Sequence, residues 1–169
     1  LSPRISLRTR GVAGLNTIFA VTLAIMAGLG FARFKFKGSN QLQMLVLFAQ
    51  LFPLVLLVTP YYSIMKILGI LNSHKALYLA YTSFVLPFSI WMLTNYFKAI
   101  PSEMEEAAMV DGCSKLMALI KVTIPLSAPG IVATTINAFT LAWNEFLFAQ
   151  TFIDSPALRT LPIGLRSFM

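Results

Sequence analysis

Charge is scarce in this chain. Only 11% of its 169 residues are charged, against roughly 25% in ordinary globular chains. Acids are the rarest, with six Asp and Glu against thirteen Lys and Arg. The basic residues are scattered between apolar blocks rather than gathered in a stripe, which excludes a nucleic-acid surface. Cys113 stands alone, so no intrachain disulfide forms, and with His74 as the one histidine no Cys/His metal cluster can be assembled. No G-x-x-x-x-G-K-[ST] phosphate loop occurs. Paired acids at membrane depth, a serine–lysine arrangement and a His-rich span are missing too, which argues against the alternative of an intramembrane enzyme. These lacks predict no catalytic, cofactor-binding or metal-binding residues.

What the chain has is apolar length. Its residues are 57% apolar and its mean hydropathy is +0.78. The apolar residues come in four blocks, about 11–32, 42–65, 76–97 and 127–153, each long enough to read as a membrane span. The first, Gly11 to Ala32, holds 22 uncharged residues, or ~33 Å of helix against a hydrocarbon core of ~30 Å. A signal peptide preceded by Arg4, Arg8 and Arg10 is the rival reading, but the block exceeds the ~7–15 residues of such a segment. Pro53 and Pro60 predict kinks in the second block, and Pro87 lies in the third. The expected architecture is all-α and integral to the membrane, one transmembrane domain over residues 1–169.

Loop charges give a weak orientation. Arg33, Lys35, Lys37, Lys98, Lys115 and Lys121 lie on one side; Arg4, Arg8, Arg10, Lys66, Lys75, Arg159 and Arg166 lie on the other. The two sides nearly balance, and setting aside the three N-terminal arginines tips loops 33–41 and 98–126 toward the cytoplasm. The chain opens at Leu1 and runs through a turn-like Leu161-Pro162-Ile163-Gly164 to Met169 without a closing span. A fragment is therefore expected, with a truncated, non-transporting remnant as the alternative.

The loop 98–126 carries the most information. From Ile100 to Pro125 it reads as helix, turn, helix. Pro101 suits a first helical position, and Glu103, Glu105 and Glu106 occupy the first turns, where the helix dipole favours carboxylates. Gly112 suits the stop. Met104, Ala107, Ala108 and Met109 predict one apolar face opposite the acids, a face too short to be stable without packing on something. Cys113 reads as a small apolar residue beside the turn, and His74 as an exposed loop residue.

Glu106-Ala107-Ala108, three residues, Gly112, nine residues, then Val122-x-Ile124-Pro125 resembles the EAA motif of ABC importer permeases, E-A-A, three residues, G, nine residues, I-x-L-P. Val122 and Ile124 depart from it conservatively. Further matches at Arg33-Phe34, Phe52-Pro53, Leu86-Pro87-Phe88, Ile100-Pro101, Ala142-Trp143-Asn144-Glu145-Phe146 and Thr160-Leu161-Pro162-Ile163-Gly164-Leu165 are similar to carbohydrate-uptake permeases of the maltose type. The resemblance implies a six-span fold of which four spans are visible here, with a cytoplasmic coupling helix between the third and fourth visible spans. It implies a multi-pass protein of a prokaryotic inner or plasma membrane that imports a sugar or related carbohydrate. It also implies separate ATP-binding cassette subunits that hold the ATP, a second permease subunit and an extracytoplasmic solute-binding protein.

On that resemblance Glu103, Glu106, Ala107, Ala108, Asp111 and Gly112 are the expected ATPase-docking residues, with Glu106 as polar anchor, the alanines allowing close approach and Gly112 making the turn. Asn137, Asn144 and Glu145 are candidates for a pathway or packing contact, because polar groups near a bilayer are functional by default. The bland reading of Glu145 is an interfacial position beside Trp143.

Overall fold

The computed structural model describes residues 3–34, 36–155, 158 and 160–166. Lys35 and Arg159, counted above for orientation, lie outside the described residues, as do 167–169. The helices among the described residues are, in order, α1 Pro3–Arg33, α2 Ser39–Phe48, α3 Leu54–Ile67, α4 His74–Ala99, α5 Glu103–Val110, α6 Lys115–Ala118, α7 Ile124–Leu126, α8 Ala128–Asn144, α9 Leu147–Phe152 and α10 Leu161–Arg166. A 3-10 turn, Ala49–Leu51, ends α2, and a π-helical stretch, Leu119–Thr123, joins α6 to α7.

Two helices, Ile5–Arg33 and His74–Ala99, are each long and apolar enough to cross a bilayer. The other two blocks are bent. Ser39–Leu51 meets Leu54–Ile67 at 98°, and Lys115–Leu126 meets Ala128–Asn144 at 71°. The first bend falls at Phe52-Pro53, where Phe52 is extended, as the residue before a proline prefers. Pro60 and Pro87, in contrast, lie inside α3 and α4 without ending them. The second block is thus a sharply broken element rather than one kinked span.

The structure also extends or corrects several expectations. The first apolar block, 11–32, lies inside a longer helix that starts at Pro3, so the arginine-bearing segment continues the same helix. The fourth block does not run unbroken to Ile153: it breaks after Asn144 and resumes at Leu147. Leu161-Pro162-Ile163-Gly164 is not a turn but the start of α10, because proline is tolerated in a first helical turn. His74 is no loop residue either: it opens α4, half-buried, with Nε2 3.3 Å from the Leu158 carbonyl oxygen.

The bundle core is α1, α4 and α8. Between apolar helices in lipid no hydrophobic force draws surfaces together, so small residues that allow close contact do the work. On α8 the buried positions are Gly130, Thr134, Ala138 and Ala142, one every four residues and therefore on one face. On α1, Ala13, Thr17, Ala20 and Ala24 are buried at similar spacing. Their hydroxyls do not remain unpaired in the core. Thr17, Ser89, Thr94 and Thr134 each donate to the carbonyl four residues back, at 2.7–2.9 Å, which meets the demand that polar groups be satisfied within the chain.

One end of the bundle gathers the C-termini of α1 and α4, the N-terminus of α2 and the whole of α5 to α7. Lys98 Nζ donates to Gln43 Oε1 at 3.3 Å there. The opposite end is closed by the α3–α4 turn, where Asn72 takes a positive φ of 54° and its amide donates to the Phe152 carbonyl at 2.8 Å.

Candidate functional site

At the gathered end, the helix expected from the loop pattern forms at Glu103–Val110, two residues later than Pro101. The Ser102 carbonyl accepts from Glu106 N at 3.0 Å. Its C-terminus closes as the glycine predicted. Gly112 N donates to Met109 O at 3.1 Å and Cys113 N to Ala108 O at 3.0 Å, the paired bonds of a Schellman cap. Gly112 has φ of 91° and open space where a Cβ would stand. Backbone conformation alone therefore requires glycine here.

The three glutamates of α5 do not share a face. Glu103 and Glu106 are exposed, whereas Glu105 is only 6% exposed. Successive helical residues turn by ~100°, so Glu105 lies roughly opposite Glu103. Its Oε1 accepts from Arg33 Nε and from Thr123 Oγ1, both at 2.5 Å, and Arg33 Nη2 donates to the Ile100 carbonyl at 2.9 Å. Beside this, Lys115 Nζ lies 4.7 Å from the ring centroid of Phe34. The expectation of an apolar face set against all the acids is thus corrected: one acid anchors the helix inward, and two flank its outward surface.

Sequence reasoning missed Arg33, Glu105 and Thr123 as site residues. The signal available was the two-residue offset of Glu105 from Glu103, which on a helix places them on opposite sides. Of the predicted docking residues, Glu103, Glu106, Ala107, Asp111 and Gly112 are exposed together and Ala108 is half-buried. Met104 and Met109 are exposed beside them, and Val110 is 87% exposed. Apolar exposure continues onto Leu116, Met117 and Ile120. The exposed face is rich in methionine, a side chain that adapts to irregular surfaces.

A second feature lies between the two breaks in the bundle. A cleft of about 640 Å³ opens beside Gln50, Pro53, Phe84, Thr140, Asn144 and Glu145. Gln50 Nε2 donates across it to the Phe84 carbonyl at 2.9 Å. Glu145 is 6% exposed, and its carboxylate accepts from Phe148 N at 2.9 Å and Ala149 N at 3.1 Å. It therefore caps α9, using the helix-start preference for a carboxylate. The Tyr81 hydroxyl, also buried, faces the same carboxylate outside ideal hydrogen-bond geometry. Asn144 is exposed on the cleft wall; Asn137, half-buried on α8, does not line it.

An inward-tied, outward-bare helix between apolar spans, with the EAA spacing on it, defines a class. Residues 20–168 match the family described as binding-protein-dependent transport system inner membrane component. The chain belongs to that family, and with its apolar helices it is a multi-pass membrane protein. It is 43% identical over 157 residues to the sulfoquinovosyl glycerol transport system permease protein SmoH of Agrobacterium fabrum, covering 93% of this chain and 55% of that protein. It is 36% identical to the trehalose/maltose transport system permease protein MalG of Thermococcus litoralis, covering 93% of this chain and 56% of that one. The chain thus spans about half the length of these relatives. A solved bacterial ABC transporter involved in importing the acidic polysaccharide alginate has the same fold, with a TM-score of 0.68 at 23% identity, covering 94% of this chain and 58% of that one.

Proposed function

We propose that this chain is the permease portion of an ATP-driven, binding-protein-dependent importer of a carbohydrate, coupled through α5 to a separate ATP-binding subunit. The observation that carries the reading is the split character of α5: Glu105 buried and tied inward, Glu103, Met104, Glu106 and Ala107 bare outward. A helix of eight residues is unstable alone in water, so the inward tie holds it in shape and leaves the outward face for a partner's groove.

In this scheme ATP closes the paired ATP-binding subunits on the cytoplasmic side. Docked α5 carries that movement into the bundle, and access to the pathway alternates between the two faces of the membrane. Glu106 anchors the contact, Ala107 and Ala108 permit close approach, and Gly112 sets the turn that ends the helix. The cleft at the two breaks is the pathway segment contributed by this chain. Asn144 faces the cargo route, Glu145 holds the broken helix in position and Asn137 packs. A second permease subunit completes the pathway, and an external binding protein delivers the cargo. The carbohydrate assignment is supported by the sugar and sugar-derivative names of the relatives.

Co-purification tests the coupling assignment. The chain is expressed from its complete reading frame with its neighbouring ATP-binding subunit and companion permease. Ala107→Arg puts a bulky charge on the exposed face and lowers recovery of the ATP-binding subunit about tenfold, as expected for a central contact, while Ala107→Ser retains it. Equal recovery with both variants overturns the docking assignment.

A further inference from the structure

We infer that Arg33, Glu105 and Thr123 form a mechanical tie that makes α5 move as one body with the end of α1 and with the Lys115–Leu126 segment; this inference rests on α5 being the docking helix. Three elements distant in sequence meet at a single carboxylate oxygen. Glu105 Oε1 accepts from Arg33 Nε and Thr123 Oγ1, and Arg33 grips the same segment a second time through the Ile100 carbonyl. The Arg33 and Glu105 side chains are 9% and 8% exposed. A pair so shielded from water is screened little by salt, and separating its members leaves a buried charge uncompensated. The elements therefore stay in register when one is displaced.

The tie leads where a coupling force has to go. Arg33 is the last residue of α1, and α1 packs along α4 and α8 through the small-residue faces. Thr123 ends the π-helical stretch that precedes the 71° bend into α8. Displacement of α5 is thus delivered to two core helices rather than absorbed in the joints at Ile100-Pro101 and Gly112-Cys113. π-Stretches recur at functional positions in helices, and here the stretch buries Leu119 and Thr123 together on the α5 side. Without the tie, α5 would be joined to the bundle by two short backbone joints and a few apolar contacts. Arg33 and Thr123 are accordingly positioning residues, acting through Glu105 on α5.

The test uses the assembled importer in proteoliposomes, measuring subunit recovery, ATP hydrolysis and uptake for Thr123→Val, Thr123→Ser and Glu105→Gln. Thr123→Val keeps the shape and removes the hydroxyl; Glu105→Gln keeps the shape and removes the charge. Thr123→Val is expected to recover the ATP-binding subunit normally and to hydrolyse ATP, with uptake per ATP lowered about fivefold or more, the scale of an ordinary coupling free energy. Glu105→Gln, which leaves the Arg33 charge unneutralised, is read per recovered complex and is expected to lower uptake per ATP on the same scale. Thr123→Ser, which retains the donor, stays within about twofold of the native ratio on the same scale. If Val and Gln variants keep the native uptake per ATP, or lose uptake only in step with lost subunit recovery, the tie is structural and the inference is overturned. An importer that keeps its ATP-binding subunit when Glu103–Gly112 is deleted instead overturns the docking reading, so the two failures are distinct.

Discussion

Glu105→Ala is expected to be strongly destabilising. It leaves the Arg33 guanidinium, whose side chain is 9% exposed, without its carboxylate, and breaking such a buried pair from one side costs about 3–5 kcal/mol. Thr123 loses its acceptor at the same time. The companion variant Arg33→Met with Glu105→Met removes both charges and fills the space, and is expected to recover most of the loss, since apolar replacement of a whole buried pair is often neutral. Thermal unfolding in detergent distinguishes these outcomes. A small shift for Glu105→Ala would show that the pair is not shielded in solution. The double variant also separates two roles of the same residues: restored stability with uptake per ATP still low assigns them to force transmission as well as to folding.

The second large effect is expected at Gly130. A Cβ built there would stand 2.3 Å from Tyr96 Cγ and 2.5 Å from Cδ1, distances no side chain tolerates without movement. Gly130→Ala improves helix propensity by ~1 kcal/mol, but it forces α8 and α4 apart or turns the Tyr96 ring out of place. Overpacking of this kind costs typically ~1–3 kcal/mol. Net destabilisation is expected, growing steeply for Gly130→Leu. Adding Tyr96→Ala to Gly130→Ala opens the space and restores the melting temperature toward native. If Gly130→Ala melts at or above the native temperature, the close crossing of α4 and α8 is not maintained in the membrane.

Much of this was legible before any fold was known, and the reasons are specific. The spaced pattern from Glu106 to Pro125 located the helix α5 because glycine at position 112 and proline at 125 constrain the backbone directly, and the structure closes α5 at Gly112 with the paired bonds of its cap. The membrane blocks were legible because bilayer thickness sets a length that composition reveals. The bends were only partly legible. Pro53 marked one, yet Pro60 and Pro87 carry the same chemistry and interrupt nothing, because whether a proline breaks a helix depends on what neighbouring elements supply.

The break after Asn144 was not legible at all. Apolar residues continue through Phe152, and the interruption comes from Glu145 turning back to bind Phe148 N and Ala149 N, a choice made by the tertiary setting of that carboxylate. Glu105 was missed for another reason. The pattern sets Glu103, Glu105 and Glu106 together against one apolar face, although helical geometry separates Glu105 from Glu103 by about half a turn. Its partners, Arg33 and Thr123, are 72 and 18 residues away in sequence, a distance that local pattern does not bridge. Arg33-Phe34 was visible as a recurring pair without its purpose; the structure gives Arg33 to Glu105 and Phe34 to Lys115.

In the function proposed above, the outward face of α5 seats in the ATP-binding subunit. Photo-crosslinking from single positions in the assembled importer tests it most directly, with the probe placed at Met104, at Ala107 and, as a distant control, at Ile136 on the exposed side of α8. Crosslinks to the ATP-binding subunit are expected from 104 and 107 and none from 136. Crosslinks from 104 and 107 that reach only lipid or the companion permease would contradict it.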